Sequence, residues 1–163
     1  MAVYAVDKLM SEARRIAAEY RRTTGKSLGI SSEISRYDAC RLLNLEPVES
    51  QGGYDAIEVA QVPQEKIQIK GRVVFDAAKS GLRIGQLKLE QEWDAVVLVL
   101  LDESFTTTEI YRADRQTIMD ALEEGASQAR AKRGAMSVNR FKRIGTLVWD
   151  DVNGLSNENS WTN

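Results

Sequence analysis

Apolar and polar positions change period several times along the chain, and each change marks an element. Val6, Leu9, Met10, Ala13, Ile16, Ala17 and Tyr20 fall at i, i+3, i+4 spacing, which predicts an amphipathic helix over residues 3–22. Gly25 is suited to end it, because glycine takes the left-handed conformation of a helix stop without a Cβ clash. Ser31 and Ser32 are N-cap candidates for a second helix that ends near Leu45, ahead of Pro47. Ile34, Tyr37, Cys40 and Leu43 mark its expected buried side.

The period then shortens to two. After the turn Gln51-Gly52-Gly53, residues 54–60 and 66–75 are rich in β-branched side chains and read as paired strands. Residues 76–91 hold Gly81 and Gly85 and read as a basic, partly mobile excursion. Trp93 to Leu101 is a continuous apolar run, as expected of a central strand buried on both faces. Thr106 to Arg112 alternates as the next strand. A third helix is expected from Asp114 or Thr117 to Lys132, stopped by Gly134. Residues 135–144 read as irregular, Ile144 to Trp149 as a short strand, and 153–163 as a loose tail. The predicted order is α-α-β-β-β-β-α-β, an α/β fold with a mixed sheet flanked by helices. There is no repeat and no convincing linker, so one domain is expected over 1–163. It divides into an N-terminal helical addition (1–30), a core (31–150) and the tail (151–163).

Composition narrows the chemistry. The 163 residues contain no histidine, which excludes Ser-His and Cys-His catalysis and histidine-ligated zinc. Hydrolytic chemistry would have to use carboxylates, amides, lysine and a metal. The single cysteine, Cys40, cannot form an internal disulfide; a semi-buried thiol and a reducing cytoplasm are expected. No apolar stretch approaches the roughly 18 residues of a membrane span, and residues 1–22 do not read as a secretory signal.

Net charge is −2, no global signal for nucleic acid, yet the charge is unevenly spread. Lys66 to Lys88 holds six basic residues and one acid, and Arg130 to Arg143 holds six basic residues and none. Two such segments could form a phosphate-facing surface. They would equally suit a solvated loop and a helix C-terminus.

The most specific cluster is Gly53-Tyr54-Asp55 followed by Gln68-Ile69-Lys70, thirteen residues on from Asp55. On a strand Gln68 and Lys70 share a face about 7 Å apart, so a carboxylate, an amide oxygen and an ammonium would converge. That suits a hard divalent cation and a phosphate. With the helix glutamate Glu33 and the apolar run that follows, the pattern resembles the PD-(D/E)XK nuclease superfamily, in its Gln-x-Lys variant. The likeness covers residues 31–133.

The resemblance implies a restriction endonuclease-like core with an added N-terminal helix. It further implies a metal-dependent endonuclease that hydrolyses DNA phosphodiester bonds. Mg²⁺ or Mn²⁺ would be held by Asp55, Gln68 and the backbone carbonyl of Ile69. Lys70 would position water and offset transition-state charge, and Glu33, or failing it Glu19, would reach the metal through water. Arg72, Lys79, Arg83 and Lys88 would contact nucleic acid, and cutting a duplex would need a homodimer. Gln68 carries no charge, so metal affinity should be lower than in the acidic version. Glu58 lies on the wrong strand parity to help without a bulge. The alternative is a nuclease-like fold that has lost catalysis and binds nucleic acid or protein. Alternation of Lys66, Gln68, Lys70 and Arg72 with Ile67, Ile69 and Val73 is also what a half-exposed antiparallel strand shows.

Overall fold

The computed structural model describes residues 5–49, 52–75, 81–124 and 134–156. Two helices open the chain, α1 (Val6–Thr24) and α2 (Ser31–Leu43). Five strands follow: β1 (Glu46–Pro47), β2 (Ala56–Glu58), β3 (Glu65–Val73), β4 (Ala95–Leu101) and β5 (Thr107–Asp114). Then come α3 (Arg115–Glu123), α4 (Val138–Ile144), β6 (Thr146–Asp150) and β7 (Gly154–Leu155). The strands form one mixed seven-stranded sheet in sequential order. Among the described residues only β3 and β4 pair in parallel, with Gln68 beside Val96 and Lys70 beside Leu98; the other pairs are antiparallel. The protein is therefore α/β, as its patterning predicts.

β4 is buried at every position, and its alternation splits the core in two. Ala95, Val97, Val99 and Leu101 pack with Ile34, Ala39, Ile67 and Phe105 beneath α1 and α2. Val96, Leu98 and Leu100 pack with Trp93, Ile118, Leu122 and Phe141 beneath α3 and α4. A sheet covered on both faces is why the run reads as uniformly apolar.

Several boundaries depart from the sequence expectation. Residues 138–144 are helical: Ser137 accepts the Arg140 N–H as N-cap, and Val138 and Phe141 are buried. The tail begins with an ordered hairpin, β6 pairing with β7; residues 157–163 lie outside the described residues, as does 125–133 of the expected third helix. The short β1 went unpredicted. The buried side of α2 is rotated from the expected one to Ile34, Ser35, Asp38 and Ala39. Asp38 turns inward because it is ion-paired to Arg14 of α1 and accepts from Thr107 Oγ1 of β5 at 2.6 Å. Gly71 permits the close approach of α2 to β3, since a Cβ there would overlap Ser35. Among the described residues no helix is long and apolar enough to cross a membrane.

Candidate functional site

The site is built where β2 begins against the middle of β3. Ala56 pairs with Ile67, and both side chains lie in the core beneath α1 and α2. Gln68 and Lys70 lie on the face opposite Ile67; Asp55 precedes β2, its N–H bonded to the Ile67 carbonyl at 2.8 Å and its carbonyl accepting the Val48 N–H at 3.0 Å. Asp55 Oδ2 accepts the Ile69 N–H at 2.7 Å. Ile69 lies past the last β2–β3 pair, so the carboxylate occupies the place where a further β2 residue would bond. A strand residue points its N–H and C=O to the same neighbour. The Ile69 carbonyl is therefore directed to the edge that holds Asp55.

Gln68 is 3% exposed. Its Nε2 donates to the Gly53 carbonyl at 2.8 Å, while its Oε1 is buried without a partner among the described residues. That contact accounts for an amide in place of an acid. A carboxylate has no hydrogen to give to Gly53, whereas the amide donates on one side and presents a carbonyl on the other. Gly53 is held by its own constraints: its φ is +91°, and a Cβ would overlap the Gln91 side chain. The Glu92 N–H bonds the Gly52 carbonyl at 3.1 Å, so the turn before Asp55 is strapped to the segment entering β4.

Lys70 is half-buried on the same face. Burial pushes its ammonium below the ordinary lysine range; Asp55 opposes that shift, and the like charges of Lys88 and Arg72 add to it. Gly85 covers this face: a Cβ there would lie 3.5 Å from Arg72 Nη2 and 3.6 Å from Lys70 Nζ. The expected half-exposed strand is thus roofed by part of the basic excursion, which buries Ile84 and Leu87. Arg72 donates from Nε to the Arg83 carbonyl, tying strand to roof. Arg83 and Lys88 are exposed. Lys79 lies outside the described residues.

The predicted acids divide. Glu33 is exposed on α2, on the other side of the sheet, and pairs with Arg36 at 2.8 Å. It lines an open groove of about 450 Å³ with Met10, Tyr37, Cys40 and Val48. Arg36 is raised chiefly by its bond to Glu33, with Asp55 contributing. The Cys40 thiol is raised by burial, and Asp55 adds to that shift. The Asp55 carboxylate therefore acts on groups of both layers. Glu19 pairs with Arg22 on the outside of α1. Glu58 faces the α1–α2 layer, where Arg112 bonds both it and Glu65. In the second basic segment, Arg140 donates to the Ala121 carbonyl and Lys142 pairs with Glu109 at 3.6 Å, so both serve the fold. Arg130, Lys132 and Arg133 lie outside the described residues.

Among the described residues no three His, Cys, Asp or Glu side chains group to hold a metal. The ligands expected from the sequence are the Asp55 carboxylate, the Gln68 amide oxygen and the Ile69 carbonyl. All are hard oxygens, which suits a Mg²⁺ ion that keeps several waters and shares phosphate ligands, and suits no softer metal. Gln91, whose Oε1 is also buried and, among the described residues, unpartnered, was not legible as a neighbour of Gly53. Only the docking of two loops brings them together. Compared with known protein families and with curated proteins, the chain matches no family model and no curated protein.

Proposed function

We propose that the chain is a metal-dependent endonuclease of the PD-(D/E)XK type, acting on DNA with Mg²⁺ or Mn²⁺ at Asp55, Gln68 and the Ile69 carbonyl. One observation carries the reading. Gln68 of β3, whose amide oxygen is buried and without a partner among the described residues, is followed by Ile69, whose N–H anchors Asp55, and by Lys70, half-buried among like charges. An orphaned acceptor of this kind costs about 1–3 kcal/mol, and a ligand that it can bind removes that cost.

The chain's own groups divide the work. The Ile69 N–H fixes the Asp55 carboxylate, and the Gly53 carbonyl fixes the Gln68 rotamer, so the donors need no reorganisation on binding. A cation held by Asp55, Gln68 and the Ile69 carbonyl would supply Lewis acidity toward a phosphate oxygen and lower the pKa of the attacking water. Lys70 donates to that water or to a non-bridging oxygen and offsets charge as it develops. The water oxygen bonds to phosphorus as it gives up a proton to solvent, the bridging P–O bond breaks, and the leaving oxygen takes a proton from solvent and departs as an alcohol. Arg83 and Lys88, exposed on the roof, hold neighbouring phosphates. Roofing by the 81–89 segment excludes bulk water from the Lys70 side and strengthens each of these interactions.

The lone carboxylate favours a second reading, a fold of this type that binds nucleic acid without cutting it. Purified protein with supercoiled plasmid and Mn²⁺ separates the two. Nicking that disappears in Lys70→Met supports the enzyme. Salt-dependent DNA retention without nicking under either metal supports the binding module, and nicking that persists in Lys70→Met rejects the assigned mechanism.

A further inference from the structure

α1 is packed the wrong way round for a helix that serves only its own domain. Its buried residues are Ala17 and Ala18, with Met10 half-buried against the core, whereas its other large apolar side chains face out: Val6 is 55% exposed, Leu9 46%, Ile16 50% and Tyr20 38%. Burial of large side chains drives folding, so an exposed contiguous row of them is the informative exception. With the half-buried Ala13, these residues stand at 6, 9, 13, 16 and 20. The alternating steps of three and four are those of a coiled-coil seam. α1 is held to its own domain by other means: Arg14 pairs with Asp38 and donates to the Phe105 carbonyl, and Arg21 lies 4.2 Å above the Phe75 ring. The seam plays no part in that attachment.

We infer that this seam pairs two copies of the chain, α1 against α1 in antiparallel orientation about a two-fold axis. The charges beside the seam choose the occupant. Lys8, Glu12, Arg15, Glu19 and Arg22 run along its outer flank and alternate in sign. Reversing the row leaves the alternation unchanged, so a second antiparallel copy shifted by one step sets opposite charges together. Among the described residues Glu12 and Arg15 have no ion-pair partner within the domain. A lipid surface would favour a uniformly basic flank instead. Ala13, at the middle of the seam, lets the two backbones approach. A 19-residue helix is about 28 Å long, so the contact sits at the small end of interface sizes, where weak and transient contacts lie, and an affinity of order micromolar is expected.

The pairing needs nothing from the nuclease reading. Only its consequence does: two Asp55–Lys70 sites joined by a two-fold axis, as cutting both strands of a duplex requires.

Sedimentation velocity of the full chain over about 1–300 µM brackets that affinity. A monomer–dimer equilibrium is expected, abolished by Ile16→Glu with a thermal midpoint unchanged at concentrations where the wild type is monomeric, because Ile16 contributes to no core. Glu12→Arg and Arg15→Glu should each weaken the dimer several-fold, and the double reversal should restore it. A strictly monomeric wild type, or a dimer indifferent to Ile16→Glu, overturns the proposal. So does failure of the double reversal to rescue, which would mean that something other than an antiparallel copy covers the seam. DNA nicking assayed separately reports on the nuclease reading alone.

Discussion

Gln68→Glu converts the site toward the acidic form of the motif, and its consequences can be worked out from two contacts. In the wild type Nε2 donates to the Gly53 carbonyl at 2.8 Å, a bond worth about 1 kcal/mol net. Oε1 is buried without a partner among the described residues. The substitution removes the donor, sets an oxygen against the Gly53 oxygen, and buries a negative charge near Asp55. Without metal the loss should reach about 3 kcal/mol or more, since stranding a buried group costs about 1–3 kcal/mol and charge raises it. For a chain of this size that lowers Tm by about 6–12 °C. Mn²⁺ should recover most of the loss, because the added anion is then neutralised and ligating. Lowering the pH in chelator should also narrow the deficit, as a protonated carboxyl can again donate to Gly53. Gln68→Leu is the control: it removes the orphaned oxygen and strands the Gly53 carbonyl, two effects of similar size, so stability changes by less than about 1 kcal/mol. Scanning calorimetry in EDTA and in Mn²⁺ measures all three proteins. Equal stability of wild type and Gln68→Glu in EDTA, or a Gln68→Glu protein that gains no more from Mn²⁺ than wild type, would refute the reasoning.

Other outcomes follow from the same geometry. Lys70 has a lowered folded-state pKa, so its protonated form costs stability at neutral pH, a cost lost as pH rises through that lowered value. Lys70→Met should therefore match or exceed wild-type stability in urea titrations while losing cleavage. The alkaline limb of the nicking rate should fall below the ordinary lysine pKa of about 10.4. Asp38→Ala leaves Arg14 partly buried without its carboxylate and should cost about 3–5 kcal/mol by denaturant midpoint; a loss under about 1 kcal/mol would show that the pair is not needed. Gly53→Ala faces both a positive φ, worth about 1–2 kcal/mol, and overlap with Gln91. It should lower Tm and abolish calorimetric Mn²⁺ binding together.

The parity of β3 and the burial of β4 were legible because period-two alternation and an unbroken apolar run are properties of neighbouring residues. Gln68, Lys70 and Arg72 share a face as that alternation predicts. α4 was legible in principle: Ser137 stands three residues before Arg140, and Val138, Phe141 and Ile144 repeat at three, but Gly134 and the basic charge drew the segment toward a loop. The inward turn of Asp38 was not legible, because its partners Arg14 and Thr107 lie 24 and 69 residues away. The same holds for Gln91 over Gly53 and for the roof over Lys70, which depend on how an irregular segment docks. Glu33 matches the helix glutamate that the resemblance expects, yet its pairing with Arg36 three residues on is what an exposed helix offers a glutamate.

The account turns on one cation between Asp55 and Gln68, and a crystal soaked in Mn²⁺ addresses it directly. An anomalous difference peak is predicted within about 2.0–2.4 Å of an Asp55 carboxylate oxygen, Gln68 Oε1 and the Ile69 carbonyl. A peak only elsewhere, or Gln68 Oε1 turned away from Asp55 with no ion between them, would contradict it.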